Sequence, residues 1–139
     1  MERPAVLLLE DNRGDVGLIS AALEECSTGV DLHTVTAVDE AIAFLERRSP
    51  YQDAPSPSLV ITDFYRTPLP VVQRFLGYLG QHRAPVLPIV VLTAAADPRH
   101  REACAQPWVV EYCVKPCAWG DYQSLIARLV RRWIKRRTP

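Results

Sequence analysis

Acidic residues directly follow two short apolar runs in this chain of 139 residues. Glu10 and Asp11 come after Ala5-Val6-Leu7-Leu8-Leu9, and Asp63 comes after Leu59-Val60-Ile61-Thr62. Such continuous runs are typical of strands buried on both faces, as in a parallel sheet covered by helices. Because ligands bind outside the carboxyl ends of strands in open α/β sheets, these carboxylates are candidates for chemistry.

A hydroxyl and an amine follow two later apolar runs, at Thr93 and Lys115. Three carboxylates at one sheet edge repel one another and need a cation, and hard oxygen ligands with room for water suit Mg²⁺. With the amine and the hydroxyl, they fit a site where Asp63 attacks a phosphoryl donor and carries an aspartyl phosphate. The plain alternative is a set of ordinary loop-capping side chains at four strand ends.

Helical spacing of apolar residues follows each of five predicted strands. The third helix is predicted to close near Gly80, the fourth to span about 97–105, and the last, capped by Asp121, about 121–136. Strands that alternate with helices predict a doubly wound α/β fold with a five-stranded parallel sheet and right-handed crossovers.

Composition indicates one ordinary globular domain over residues 1–139, with 48% hydrophobic and 23% charged residues. A formal net charge of zero gives no electrostatic case for binding nucleic acid or membranes. No apolar run approaches the roughly 20 residues of a membrane span, and a signal peptide is not apparent, so a cytoplasmic protein is expected. The four cysteines form no CxxC pair, which argues against structural zinc.

Four short motifs in this order resemble the receiver domain of bacterial response regulators. They are Leu7-Leu8-Leu9-Glu10-Asp11-Asn12, Leu59-Val60-Ile61-Thr62-Asp63, Val91-Leu92-Thr93-Ala94 and Tyr112-Cys113-Val114-Lys115-Pro116. Each is weak alone, but all four in sequence are specific. The resemblance covers nearly the whole chain and implies a flavodoxin-like sheet of strand order 2-1-3-4-5 with five helices.

The resemblance also implies a metal site. Asp63 matches the phosphoacceptor, and Glu10 and Asp11 match the acidic pair that holds Mg²⁺. Tyr65, two residues after the acceptor, would give its backbone carbonyl to the metal.

Further roles follow from the same resemblance. Thr93 matches the hydroxyl that moves onto the phosphoryl group, and Lys115 matches the lysine that bonds a phosphoryl oxygen, with a cis bond to Pro116. Tyr112 matches the aromatic switch that swings inward on activation. The implied partner is a sensor histidine kinase, and the implied output is protein–protein contact rather than enzyme turnover. The start and the long loop before the third strand are similar to stand-alone regulators paired with phytochrome-type kinases.

One loop departs from the family pattern. Thr67 holds the place of a usual proline, and Pro70-Val71 stands where the family has Asp-Gly. This departure keeps open the alternative of a phosphate-independent, receiver-like scaffold.

The last predicted helix has apolar residues over about 180° of arc, wider than the ≳100° stripe that one core-facing side needs. Val130 and Ile134 lie at one edge of this arc and are expected to be exposed unless another chain covers them, which predicts a homodimer or partner contact. The basic opposite side is interpreted as a solvated face, since no nucleic-acid recognition motif accompanies it.

Two other classes of protein fit less well. A phosphatase with an aspartyl nucleophile normally has a second acid two residues after the first, where this chain has Tyr65. A nucleotide- or flavin-binding domain would have a glycine-rich turn after the first strand, where this chain has Glu10-Asp11-Asn12-Arg13-Gly14.

Overall fold

A computed structural model describes residues 3–26, 29–64, 67–83, 86–94 and 97–134 of the chain. Within these ranges five strands alternate with five helices, as predicted. They are β1 (Ala5–Leu9), α1 (Arg13–Glu25), β2 (Asp31–Val35), α2 (Val38–Leu45), β3 (Leu59–Thr62), α3 (Leu69–His82), β4 (Ile89–Thr93), α4 (Pro98–Cys104), β5 (Val109–Val114) and α5 (Trp119–Trp133).

The strands form one parallel sheet in the order β2-β1-β3-β4-β5, which confirms the predicted fold class. Every residue of β1, β3 and β4 is buried, which explains why these segments are continuously apolar. Leu9 pairs with Thr62, and Thr93 pairs with Val114. The strands therefore end at one edge of the sheet, with Glu10, Asp63 and Lys115 next along the chain and Thr93 as the last residue of β4.

Two hydrophobic clusters hold the sheet, one on each face. Leu7 and Leu9 of β1 belong to the cluster that also contains buried residues of α2 and α3. Val6 and Leu8 belong to the other, with residues of α1 and α5. This division follows from the alternation of side chains along a strand. Helices therefore pack against both faces of the sheet.

α3 ends at His82, two residues beyond Gly80 and so close to the predicted end. A Cβ atom on Gly80 would lie 2.5 Å from ring atoms of Trp108. The Trp108 indole packs there and donates a hydrogen bond to the Leu76 carbonyl, at 2.8 Å. Glycine at this position therefore permits close packing of an aromatic ring against the helix rather than ending it.

The bounds predicted for the last helix are shifted. α5 begins at Trp119 after Ala118, two residues before the predicted start, and its last helical residue is Trp133. Asp121 lies in the first turn, where its charge interacts favourably with the helix dipole, and not at the cap. Residues 135–139, at the predicted end of the helix, lie outside the described residues.

The expectation that Val130 and Ile134 are exposed is wrong. They are 3% and 5% exposed, and they belong to the same cluster as Ile19 and Leu23 of α1. α5 therefore packs against α1 as well as against the sheet. Its apolar arc is wide because it has two partners within the chain, so the arc gives no reason to expect a second copy.

Candidate functional site

Polar side chains at the ends of the strands are buried, among them three of the predicted site residues. Glu10, Asp63 and Thr93 are 1%, 5% and 3% exposed. The Asp63 amide donates to the Leu9 carbonyl at 2.9 Å, and the Lys115 amide donates to the Thr93 carbonyl at 2.7 Å. The backbone pairing of the sheet thus continues one residue past the strands, which fixes Asp63 and Lys115 in place.

The ammonium group of Lys115 joins three carboxylates. Its Nζ donates to Glu10 Oε1 at 2.8 Å, to Asp15 Oδ2 at 2.9 Å, and to Asp63 Oδ2. The three contacts match the three donors of a lysine, and the Lys115 side chain is only 8% exposed. One ammonium group therefore contacts three carboxyl groups in a largely buried space.

Burial and crowding shift the protonation of this group. Burial, together with the neighbouring Asp63 carboxylate, raises the pKa of Glu10 to about 8 against the attraction of Lys115. Burial alone would lower the pKa of Lys115, but its hydrogen bonds to Asp63, Glu10 and Asp15 outweigh that effect and raise it. Near pH 7 and without metal, the lysine is charged and Glu10 holds a proton. The site therefore carries more negative than positive charge.

A divalent cation would balance this excess of negative charge. One oxygen from each of Glu10, Asp15 and Asp63 lies within 4.8 Å of the others. The second carboxylate oxygen of Glu10, Oε2, is buried and has no hydrogen-bond partner, which is costly unless a cation or a proton satisfies it. Hard carboxylate oxygens are the ligands that Mg²⁺ takes in proteins. The residues present therefore fit a magnesium ion.

One predicted metal ligand lies apart from this cluster, and another lies outside the described residues. Asp11 is exposed and is not among the carboxylates that approach one another. Tyr65 lies outside the described residues. Their roles as ligands stay predictions.

Asp15 is the site residue that the sequence analysis missed. The Asn12 side chain caps α1 by accepting a hydrogen bond from the Asp15 amide at 3.1 Å, which sets Asp15 in the first turn of the helix. From there its carboxylate reaches Lys115. The sequence feature that could have identified Asp15 is its place as an acidic residue in the first turn of a helix that starts at the carboxyl edge of the sheet.

Tyr112, the predicted switch, is half-buried on β5. Its hydroxyl lies 2.8 Å from Nδ1 of His100 on α4, and the Arg101 guanidinium carbon lies 5.3 Å from its ring centroid. The sequence analysis did not single out His100. The switching role of Tyr112 stays a prediction.

The bond between Lys115 and Pro116 is trans, so the cis bond implied by the resemblance is wrong. The cis peptide bond of the described ranges joins Ser49 and Pro50. A trans bond is the slightly preferred form before proline, and with it Lys115 already reaches Asp63.

Phe64, Thr67 and Pro68 are the described residues between Asp63 and α3. The Thr67 amide donates to the Phe64 carbonyl at 3.0 Å, and the helix begins at Leu69. Pro70 stands in the first turn of the helix, where an amide hydrogen has no helical partner to lose. Pro68 at the helix cap and Pro70 in the first turn therefore start α3 at the position of the expected Asp-Gly.

No family model matches the chain, and no curated protein matches it. Solved structures do match over nearly the full length. The phosphorylated cyanobacterial phytochrome response regulator RcpA is 22% identical, with 99% of this chain and 98% of that chain covered and a TM-score of 0.82. The chain has the receiver fold.

Two further receiver structures support this conclusion. The Mn²⁺-bound form of the response regulator Rcp1 is 23% identical, with 97% of both chains covered and a TM-score of 0.79. Response regulator RPA3017, from red light signalling of R. palustris, is 25% identical, with 97% of this chain and 96% of that chain covered and the same TM-score. The predicted resemblance to receiver domains is confirmed in the fold.

Proposed function

We propose that this protein is a response regulator of a bacterial two-component system. Asp63 would accept a phosphoryl group from a sensor histidine kinase, and the protein would then signal through protein–protein contacts without acting as an enzyme. The observation that carries the proposal is the buried Asp63 carboxylate at the sheet edge, beside Glu10 and bonded to Lys115. The similarity to response regulators, one of them Mn²⁺-bound, supports it.

The proposed reaction follows from the groups that surround Asp63. A carboxylate oxygen of Asp63 attacks phosphorus, the phosphorus–nitrogen bond of the phosphohistidine breaks, and the electron pair stays on the donor imidazole. Mg²⁺ held by Glu10 and Asp63 would neutralise charge on the phosphoryl oxygens. Lys115 would exchange its bond to Asp63 for one to a phosphoryl oxygen, and the Thr93 hydroxyl would donate to another.

Replacing Asp63 by asparagine is expected to abolish acid-labile phosphorylation, because an amide cannot form the acyl phosphate. The test incubates the protein with Mg²⁺ and radiolabelled acetyl phosphate and measures bound label before and after acid or base treatment. Asp53→Asn is the matched control, since Asp53 is exposed in the loop before β3, and it should label like the wild type. Label that persists on Asp63→Asn would contradict the assignment.

A phytochrome-type kinase is the partner class that we propose. Two similar structures are a phytochrome response regulator and a regulator of red light signalling. The test compares phosphotransfer to this protein from purified phytochrome-type and other histidine kinases. Transfer that is no faster from the phytochrome-type kinases would contradict this part of the proposal.

The predicted homodimer and the cytoplasmic location stay predictions. Val130 and Ile134, the residues that motivated the dimer, are covered within one chain, so any dimer would need another surface. Light scattering with and without beryllofluoride decides the matter, and a monomer in both conditions would contradict the dimer. None of the helices in the described part of the chain is long and apolar enough to cross a membrane.

A further inference from the structure

His100 stands between the site and the predicted switch. Its ring centroid lies 6.0 Å from that of Phe64, the residue after Asp63, and 5.7 Å from that of Tyr112. Its Nδ1 lies 2.8 Å from the Tyr112 hydroxyl. The imidazole therefore touches both the segment that carries the proposed phosphoacceptor and the tyrosine on β5.

The helix that carries His100 is weakly anchored. α4 has seven residues, of which only Ala103 and Cys104 are buried. The hydroxyl of Tyr112 contacts His100, and its ring lies under Arg101, so one tyrosine contacts two neighbouring residues of α4. These two contacts join α4 to β5, the edge strand.

The protonation of the two hydrogen-bonded partners follows from their burial. Burial lowers the pKa of His100 although the charges of Asp63 and Asp97 oppose this effect, and burial raises the pKa of Tyr112. At neutral pH the imidazole is therefore neutral and the phenol is protonated. A neutral imidazole and a protonated phenol can share this hydrogen bond in either direction, according to which ring nitrogen of His100 carries the hydrogen.

We propose that His100 is a positioning residue that holds Tyr112 in the conformation of the unphosphorylated protein. The ion pair between Lys115 and Asp63 is intact in this structure, so the contact between His100 and Tyr112 belongs to that form. The inward movement predicted for Tyr112 would break this hydrogen bond. Its strength therefore sets the balance between the two conformations, and this inference rests on the proposed function.

Removing the hydrogen bond is expected to tighten the binding of beryllofluoride, a phosphoryl analogue. A ligand that favours one of two conformations binds more tightly when the other is destabilised. The net contribution of one hydrogen bond corresponds to a factor of about two to ten in an equilibrium constant. We expect the apparent dissociation constant for beryllofluoride, at saturating Mg²⁺, to fall by a factor within this range.

Three substitutions isolate the hydrogen bond. His100→Phe keeps an aromatic ring between Phe64 and Tyr112 but has no ring nitrogen for the hydrogen bond, and Tyr112→Phe removes the hydroxyl. His100→Asn is the matched control, because its amide can take the place of Nδ1 and its helix propensity is similar to that of histidine and phenylalanine. We expect both phenylalanine variants to bind more tightly, the double variant to match either single one, and His100→Asn to resemble the wild type.

Two outcomes would overturn the role of His100 alone. The first is that His100→Phe binds beryllofluoride with the same affinity as a wild type that does bind it. The second is that the effects of the two phenylalanine substitutions on this affinity multiply in the double variant. The ¹⁵N shift of His100 Nδ1 gives a readout independent of binding, and it should change in Tyr112→Phe. If that shift changes but the wild type binds no beryllofluoride, the proposed function fails and the regulatory role fails with it.

Discussion

Replacing Glu10 by glutamine is expected to remove most of the pH dependence of stability of the metal-free protein between about pH 5 and pH 8. Burial raises the pKa of Glu10 from 4.5 to about 8 in the folded protein. Between these values the folded state binds more protons than the unfolded state, so the stability of the wild type falls as pH rises. Glutamine carries no charge to bury, and its variant should lose this slope.

The slope contributed by one such proton reaches about 1.4 kcal/mol per pH unit. Lys115 does not add to it, because a raised lysine pKa contributes stability that is fully present below the unfolded value of 10.5. Summed over the window, the loss in the wild type is of the order of a few kcal/mol.

Urea unfolding in EDTA at about pH 5, 6, 7 and 8 measures the effect. Glu46→Gln is the matched control, since Glu46 is an exposed glutamate outside the site, and it should keep the wild-type slope. Stability of the wild type that stays level or rises across this window would contradict the account of Glu10.

Replacing Lys115 by methionine is the second change with a large expected effect. The substitution removes the ammonium group shared by Glu10, Asp15 and Asp63 and leaves their charges in a mostly buried space. Removing one partner of a buried ion pair costs about 3–5 kcal/mol. Because carboxylates can take up protons instead, the loss should be smaller near pH 5 than near pH 8.

Arg128→Met is the control for removing a cation from a more exposed pair. Arg128 donates to Glu111 at 2.7 Å, but its side chain is 41% exposed, and Glu111 keeps a hydrogen bond from Trp133. The expected loss is below about 1 kcal/mol. Both variants are measured by urea unfolding in EDTA near pH 8. Equally small losses in the two would show that the Lys115 network is not electrostatically coupled as described.

The sheet was predictable from the sequence because its central strands are buried on both faces. Continuous apolar runs such as Leu59–Thr62 identify such strands directly, and their order along the chain fixes where the polar residues after them meet. This is why the sequence alone suffices to place Glu10, Asp63, Thr93 and Lys115 at one edge of the sheet.

The features that the sequence did not predict depend on contacts between distant segments. Gly80 is a typical helix end by its type, but the Trp108 ring that packs on it is 28 positions away, and only the fold brings the two together. Asp15 and His100 are ordinary helix residues until Lys115 and Tyr112 reach them across the chain. The wide apolar arc of α5 likewise reflects a second partner, α1, which periodicity within one helix cannot show.

The central claim is that Asp63 is a working, Mg²⁺-dependent phosphoacceptor, and beryllofluoride binding tests it most directly. The measurement titrates beryllofluoride with and without Mg²⁺, read by amide NMR or tryptophan fluorescence, on the wild type and on Asp63→Asn. Saturable binding that requires both Mg²⁺ and Asp63 is the expected result. Absence of any response in the wild type would contradict the claim and would favour a phosphate-independent scaffold, with the altered Thr67-Pro68 loop as the first place to seek the cause.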